Sequence, residues 1–502
     1  MPLPRLDSPP YGRLQVATPT TRSHLSRLDR AGRAWVLAPR LYVVDATLGR
    51  EAVARHHALA VIDHVWPGAV LCDRSGLLGP APVDGWLFVC HPDPPRRADL
   101  VLPGLVVSAR VGPGPLPGDI ALPGVTVFQA GQIRALVDNV STAGRPPAGR
   151  PARRAGTVAV EDRIDELARV GGAGRIATLL TQLDVVAASL PAAAVALVRA
   201  RLAAVLGTRT PAAPASTRLA ARLAGAPFDA HRVDLLASLV TTLERTAPAP
   251  RPALGDRWTW EPFFEAYFSN YIEGTEFGVE EARRIAVDGH IPPARPQDAH
   301  DVAATYRLAV DPELKQETPA TAGELLELLR RRHGVLMAAR PDTRPGQFKV
   351  RDNYAGGYRF VSPDLLLGTL RRGFDVLTRL TDPLHRAIAV MFLLTECHPF
   401  DDGNGRVARL LANAELSRAG QVRIVVPTVY RNNYLAALRG TSNGAGHGES
   451  LISVLGYAQR WTAVVDWTDY DRARGDITAS NGFLDPGLAD ASGQRLRLPP
   501  EA

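Results

Sequence analysis

The feature that most constrains the fold is a helix without a polar face. In the segment TDPLHRAIAVMFLLTEC, Asp382 stands at a helix N-cap position and Pro383 at the first helical position, and both favour helix initiation. From Ala387 to Leu394 every residue is apolar. Such a helix must be surrounded by other elements, so the sequence predicts a helical bundle built around it.

Twelve residues of mixed chemistry, HPFDDGNGRVAR, follow this helix from His398 to Arg409. The glycine-rich triplet Gly403–Gly405 lies where a second helix is expected to begin, so its backbone N–H groups are predicted to converge on an anion. Arg406 and Arg409 are three positions apart and share a helix face. We therefore expect both arginines to hold charge from the outer phosphates of a nucleotide.

Two other residues of the stretch bring reactive groups. Asp402 offers a hard oxygen ligand that suits Mg2+. His398, with an ordinary pKa of about 6.5, is suited to remove a proton from a hydroxyl near neutral pH. Together with the predicted anion site and the two arginines, these residues supply the groups that attack of a hydroxyl on a phosphorus atom requires.

The twelve residues match the Fic motif, H-P-F-x-[D/E]-G-N-G-R-x-x-R, at every specified position, and the chain resembles Fic-domain proteins from about Pro262 to Asp466. The resemblance implies an all-α domain that transfers AMP from ATP to a Ser, Thr or Tyr hydroxyl of a target protein. It implies His398 as the base and Asp402 as the Mg2+ ligand. The nucleotide contacts that it implies are Phe400, Gly403, Asn404, Gly405, Arg406, Arg409, Tyr434 and Leu435.

A hairpin is predicted before the buried helix. In GQFKVRDNYAGGYRF, from Gly346 to Phe360, the pair Gly356-Gly357 suits the turn. By the resemblance this hairpin is the family's flap, in which Lys349, Val350 and Phe360 would hold the target's backbone by strand addition. Lys349 stands where an arginine is more usual in the family.

A second motif, SNYIEG, fits the Fic inhibitory pattern [S/T]-x-x-x-E-[G/N]. Its Ser269 and Glu273 are one helical turn apart and share a face. The resemblance implies that Glu273 reaches Arg409 and occupies the place of the γ-phosphate, so that the resting enzyme is inhibited.

The amino-terminal region carries a different pattern. ATPTTRSHLSRLDRAGRAWVLAPRLYVVD predicts a helix followed by two short strands, which is typical of a winged helix-turn-helix. The region loosely resembles abortive-infection type antitoxins, and the resemblance implies DNA binding through Arg22, Arg27 and Arg30.

Proline-rich stretches divide the chain, and the fold class that we expect is mainly α with an α+β amino-terminal region. The expected parts are a winged-helix-like and small mixed α/β region over 1–142, a helical connecting region over 157–245, a Fic domain over 256–467 with its inhibitory helix over 261–274, and an extended or disordered tail over 468–502.

Composition favours a cytoplasmic protein without membrane association. The three cysteines are widely spaced, which indicates neither a disulfide framework nor a zinc site, and the first residues lack an apolar signal-peptide core. The net charge of +7 is compatible with a polyanionic partner, although arginine-rich coding bias also produces it.

Three functions remain open at this stage. The first is a protein adenylyltransferase that uses ATP and Mg2+ on a protein target with an exposed hydroxyl; transfer of UMP, phosphocholine or phosphate is not excluded. The second is removal of AMP by hydrolysis at the same site, with Glu273 orienting a water molecule. The third is a DNA-binding, antitoxin-like regulator whose Fic domain senses nucleotide.

Overall fold

A computed structural model describes residues 10–93, 99–140, 149–209, 213–253 and 259–498. The chain divides into two compact units, Met1–Gly225 and Ala226–Ala502. The first unit mixes strands with helices, whereas the second is almost wholly helical, as the sequence predicts. Among the described residues, no helix has the length and apolar character needed to cross a lipid bilayer.

The first unit begins with a small antiparallel sheet in the order β1-β3-β2. Its elements are β1 (Arg13–Val16), α1 (Arg22–Arg30), β2 (Ala34–Ala38) and β3 (Leu41–Val44). The predicted helix and two strands are present, but the winged helix-turn-helix is not confirmed, because residues 10–44 contain one helix and that motif needs two. Arg22, Arg27 and Arg30 are exposed on α1, and DNA binding stays a prediction.

A six-stranded mixed sheet follows, in the order β6-β7-β5-β4-β9-β8. Its strands are β4 (Val70–Leu71), β5 (Trp86–His91), β6 (Asp99–Leu102), β7 (Leu105–Val111), β8 (Ile120–Ala121) and β9 (Phe128–Gln129). The helices of this part are α2 (Arg50–His56), α3 (Ala58–Val65), α4 (Asp73–Leu78) and α5 (Gln132–Asn139). The pairs β5–β7 and β4–β9 are parallel and the others antiparallel.

Three helices complete the first unit: α6 (Thr157–Val186), α7 (Ala192–Val205) and α8 (Thr217–Leu223). Residues 157–245, which were expected to form one helical connecting region, are divided between the two units. Its last helix, α9 (Ala230–Arg245), belongs to the second unit, because Leu236, Leu239 and Leu243 join that unit's main apolar core.

The second unit is a helical bundle. Its further helices are α10 (Glu261–Ile272), α11 (Val279–Ala286), α12 (Pro296–Val310), α13 (Ala322–Leu336), α14 (Pro363–Leu377), α15 (Pro383–Cys397), α16 (Asn404–Arg418), α17 (Arg431–Ser442), α18 (Glu449–Val464), α19 (Tyr470–Ala479) and α20 (Pro486–Ser492). Between α13 and α14 lies the predicted hairpin, formed by β10 (Tyr354–Ala355) and β11 (Tyr358–Arg359).

The helix without a polar face is α15, and it lies at the centre of this bundle. All residues from Ala387 to Leu394 are buried, and α15 packs against α9, α14, α16 and α18. The Asp382 carboxylate caps its start by accepting a hydrogen bond of 3.0 Å from the His385 N–H. The helix ends at His398, whose φ of 47° is left-handed. The central packing therefore fixes where the Fic motif begins.

The expectation of an extended tail over 468–502 is wrong for the residues that the structure describes. Asp469 and Asp485 cap α19 and α20 through their side chains. The sequence of this segment shows no apolar stripe, yet Ala473, Ile477 and Ala489 are buried in a cluster with the aromatic residues of α10. These helices are thus held by partners about two hundred residues away in the sequence, which local periodicity cannot reveal.

We predict that Ile477→Ala lowers the free energy of unfolding by about 2–5 kcal/mol, because it leaves a cavity in this cluster. Chemical denaturation of the full chain measures the effect. Leu488→Ala in α20, where the side chain is 71% exposed, is the control and should have little effect. Equal stability of the two variants would contradict the packing of α19.

Candidate active site

A cavity of about 720 Å³ opens beside the end of α15. Its walls come from the end of α10, the hairpin, the start of α16 and the length of α17. The predicted site residues that line it are Glu273, Phe360, His398, Gly405, Arg409, Tyr434 and Leu435. The structure therefore brings together residues that are up to 162 positions apart, from 273 to 435.

His398 is held in one orientation at the cavity wall. Its Nδ1 lies 3.1 Å from the Thr395 carbonyl oxygen, and its ring stacks on Phe360 with the centroids 3.8 Å apart. Because a carbonyl only accepts, Nδ1 carries the proton and Nε2 is the basic nitrogen. Burial lowers the pKa of His398 to about 4, so the imidazole is neutral at physiological pH.

The loop after His398 is closed by its own side chains. The Phe400 N–H donates to Asn404 Oδ1, and Asn404 Nδ2 donates back to the Phe400 carbonyl, each at 2.8 Å. The buried Phe400 ring stacks on His333 with centroids 3.8 Å apart. The side chains of Phe400 and Asn404 are thus engaged within the protein, and their nucleotide contacts stay predictions.

The start of α16 has the expected anion-binding form. Gly403 adopts a φ of 73°, and the Asp402 carboxylate accepts a 2.7 Å hydrogen bond from the Gly403 N–H. The side chain of Asp402 remains 52% exposed. It is therefore accessible to a cation at the start of the helix.

Arg406 lies elsewhere than the shared helix face suggests. Its guanidinium donates to Asp301 Oδ2 at 2.7 Å and to Asn270 Oδ1 at 3.3 Å, and the side chain is 3% exposed. Arg406 is not part of the cavity wall. Arg406 thereby ties α16 to α12, and its guanidinium also lies 3.7 Å from the Asp402 carboxylate, so its contact with phosphate stays a prediction.

Arg409 makes the contacts that the inhibitory motif predicts. Its Nη2 donates to Glu273 Oε1 at 2.5 Å and to the Ser269 carbonyl at 2.9 Å, while its Nε donates to Ser269 Oγ at 3.0 Å. Burial by itself raises the pKa of Glu273, but the charge and hydrogen bond of Arg409 outweigh it and lower this pKa below its ordinary value. Glu273 is consequently ionised when it is paired.

The Glu273 carboxylate also covers the start of α16. A Cβ atom on Gly405 would lie 2.1 Å from Glu273 Oε1, and no side chain can occupy that space. Glu273 therefore lies against the backbone where the sequence predicts bound phosphate.

The flap, residues 349–360, closes another side of the cavity. Tyr354 pairs with Arg359 and Ala355 with Tyr358, and Gly356 supplies the positive φ of the turn. Val350 is 67% exposed, whereas Lys349 is buried.

Glu396 ties the flap to the bundle. Its carboxylate accepts hydrogen bonds from the Tyr358 hydroxyl at 2.8 and 3.0 Å and from Arg232 Nη1 at 2.8 Å, and also from the Ser442 hydroxyl. No local sequence pattern indicates this junction, because its members come from four separate elements: α9, α15, α17 and the hairpin.

The far wall of the cavity is formed by α17. Tyr434 is 1% exposed, its hydroxyl lies 3.4 Å from Met391 Sδ, and the Arg409 guanidinium lies 6.0 Å from its ring centroid. Leu435 follows on the same wall. This apolar surface, next to a cationic group, suits a planar aromatic base.

Residues 324–416 match the sequence profile of the Fic/DOC family. Protein adenylyltransferase fic-1 of Caenorhabditis elegans is 31% identical over 185 residues, which cover 35% of this chain and 36% of that protein. Protein adenylyltransferase Fic of Drosophila willistoni is 32% identical over 197 residues, covering 36% and 38%. The chain thus spans less than two fifths of the length of these relatives.

Among solved structures, Fic-1 from C. elegans aligns over 66% of this chain and 91% of its own, with 18% identity and a TM-score of 0.35.

We predict that the imidazole of His398 titrates near pH 4 and not near 6.5, because its burial disfavours the charged form. Between these pH values the unfolded chain takes up a proton that the folded chain does not bind. The free energy of unfolding should therefore fall as the pH falls from about 6.5 to about 4.

NMR of 15N-histidine-labelled protein, assigned with His398→Ala, measures the titration. A midpoint near 6.5 would show a solvated side chain and contradict the geometry.

Proposed function

We propose that this protein, whose residues 324–416 form a Fic/DOC domain, transfers AMP from ATP to a Ser, Thr or Tyr hydroxyl of a target protein and is inhibited by its own Glu273. One observation carries the proposal: His398, Gly405, Arg409 and Glu273 line a single cavity, and Glu273 accepts a hydrogen bond from Arg409. The names of the curated relatives support the same reaction.

Each of these residues has a separate role in the proposed reaction. Nε2 of His398 accepts the proton of the target hydroxyl, whose oxygen attacks the α-phosphorus of ATP. The bond between the α-phosphorus and the bridging oxygen breaks, and pyrophosphate leaves. The backbone N–H groups of Asn404 and Gly405, at the start of α16, and the Arg409 guanidinium stabilise the phosphates during this displacement.

Mg2+ fits the donors that are available. Asp402 would supply one exposed carboxylate, and the ATP phosphates and water would supply the remaining oxygens, which is the ligand set Mg2+ prefers. When bound, the ion would neutralise phosphate charge. The described residues contain no cluster of three or more His, Cys, Asp or Glu side chains arranged to hold a metal by themselves.

The adenine ring is assigned to the wall formed by Tyr434 and Leu435, and the target strand to the open edge of the flap. The three cysteines are buried free thiols, which suits a reducing cytoplasm.

Hydrolytic removal of AMP is a second candidate. The observation that favours it is the same Glu273 carboxylate beside Gly405, where a modified side chain's phosphate would lie and a water molecule could be oriented.

We predict that Glu273→Gly raises AMP transfer by about ten- to a hundredfold, because it removes a charge-assisted pair that competes with phosphate. Self-labelling with labelled ATP and Mg2+, at equal concentrations for both proteins, measures the rate. Glu276→Gly, at an exposed glutamate three residues later, is the control. Equal rates for wild type and Glu273→Gly would exclude inhibition, and loss of AMP removal from a modified target would favour the hydrolase.

His398→Ala in the Glu273→Gly background should abolish transfer, since it removes the nitrogen proposed to take the proton. Binding of ATP, followed by calorimetry, should persist because His398 is not a phosphate ligand. Undiminished labelling by the double variant would refute the mechanism.

Asp402→Ala should weaken the effect of Mg2+ on ATP affinity with little change in the melting temperature, because its side chain is half exposed and the variant loses one hydrogen bond, from the Gly403 N–H. Calorimetry with Mg2+ and with a chelator gives the comparison. Asp401→Ala is the matched control, since this neighbouring carboxylate pairs with Arg344 at 2.9 Å. A collapsed fold in Asp402→Ala would indicate a structural role instead.

A further inference from the structure

The segment that begins the flap holds the catalytic loop through two residues, Lys349 and Asn353. Lys349 donates from Nζ to one carbonyl at 2.9 Å and from its backbone N–H to another at 2.9 Å. Asn353 Nδ2 donates to two more, at 3.2 and 2.9 Å. Lys349 Nζ donates to the Cys397 carbonyl, and the Lys349 N–H donates to the Pro399 carbonyl. Asn353 donates to the carbonyls of His398 and Phe400, so all four carbonyls from 397 to 400 accept a hydrogen bond.

The orientation of the Asn353 amide is determined by its neighbour. Lys349 Nζ lies 2.7 Å from Asn353 Oδ1, and an ammonium group can only donate. The oxygen must therefore face Lys349, which leaves the NH2 group facing the two carbonyls. The Phe400 carbonyl has a second donor in Asn404, whereas Asn353 is the side chain that serves the His398 carbonyl.

The other end of the hairpin also contacts His398. The Phe360 N–H donates to the Asn353 carbonyl at 3.2 Å, and the Phe360 ring stacks on the imidazole. His398 itself has a left-handed φ of 47°, which a residue with a side chain adopts only when its surroundings hold it. Asn353 thus fixes the backbone of His398 and Phe360 fixes its ring, and these two residues flank the strands of the hairpin.

We propose that Asn353, supported by Lys349, is a positioning residue that sets the direction of His398 and couples it to the flap. The proposal rests on the proposed function and adds to it that the base and the target-binding strand move as one body. A target that seats on the flap therefore also aligns the base.

The test uses the full chain in the Glu273→Gly background. Asn353→Ala should lower the rate of AMP transfer by about ten- to a hundredfold, since a small displacement of the base is enough, while ATP affinity stays within about twofold. Asn353→Asp should lose at least as much, because it places a carboxylate oxygen against two carbonyls. Lys349→Arg keeps a donor and should retain most of the rate, whereas Lys349→Met should not.

The matched control is Asn432→Ala, because the amide of Asn432 makes one exposed hydrogen bond, to Asp490. The signal of His398 in 15N-histidine-labelled protein should shift in Asn353→Ala and stay unchanged in Asn432→Ala. A rate loss with an unmoved His398 signal, or an ATP affinity that falls with the rate, would overturn the proposal. If Glu273→Gly shows no transfer, the proposed function fails, and the His398 signal alone still decides the positioning.

A second inference comes from the aromatic surface of α10. Phe264 lies with its ring centroid 5.8 Å from both Trp467 and Tyr470, and Phe268 lies 5.6 Å from Phe483. The Trp260 N–H donates to the Trp467 carbonyl at 3.1 Å. The residues after 466 therefore hold the helix whose last turn presents Glu273.

We infer that this carboxyl-terminal segment, residues 467–498, is part of the inhibitory device. Glu273 directly follows Ile272, the last residue of α10, so any rotation or shift of the helix moves the carboxylate away from Arg409. Weakening the aromatic contacts should release inhibition in the same way as removing Glu273, but less completely.

Phe483→Ala should raise AMP transfer about two- to tenfold in the wild-type chain and leave the rate unchanged in Glu273→Gly. Leu488→Ala, at an exposed position of the same segment, is the control. An equal effect in both backgrounds, or none in the wild type, would overturn the inference. A Glu273→Gly variant that is itself no faster than wild type would instead show that inhibition by Glu273 is wrong.

Discussion

A buried guanidinium needs an anion, and this requirement at Arg409 organises the site. With its side chain 6% exposed, Arg409 would be costly to bury without a counter-charge. Glu273 meets the requirement in the structure, and the phosphates of ATP would meet it in the proposed reaction. In the proposed reaction, inhibition by competition would follow from this requirement, because both anions would use Arg409 and the backbone at Gly405.

Two other buried arginines of the bundle are paired with carboxylates. Arg406 is paired with Asp301, and Arg423 donates to Glu265 at 2.5 Å. Both partners lie on helices that pack beside α16. The first pair links α16 to α12, and the second links the segment after α16 to α10, so an exchange of anions at Arg409 would leave both of these charges paired.

Local patterns predicted the parts of the site that are contiguous in sequence. The apolar run of α15, the glycine turn of the hairpin and the spacing of Ser269 and Glu273 each follow from a periodicity or a turn rule. The partner of Arg406 lies 105 positions away, and the junction around Glu396 draws on four elements, so no local rule reaches them. The helices after 466 were missed for the same reason, because their buried residues belong to a cluster with α10, which is distant in the sequence.

The contact between Gly405 and Glu273 also restricts how the chain can vary. In the proposed reaction, a side chain at 405 would displace the carboxylate but would also fill the space that phosphate needs, so it would relieve inhibition and prevent substrate binding together. A lineage can therefore become permanently active only by changes on the side of the glutamate: at 273 itself, at Ser269 or in the packing that holds α10. Selection on such a switch would leave variation at Glu273, at Ser269 and in the packing of α10, and no variation at Gly405.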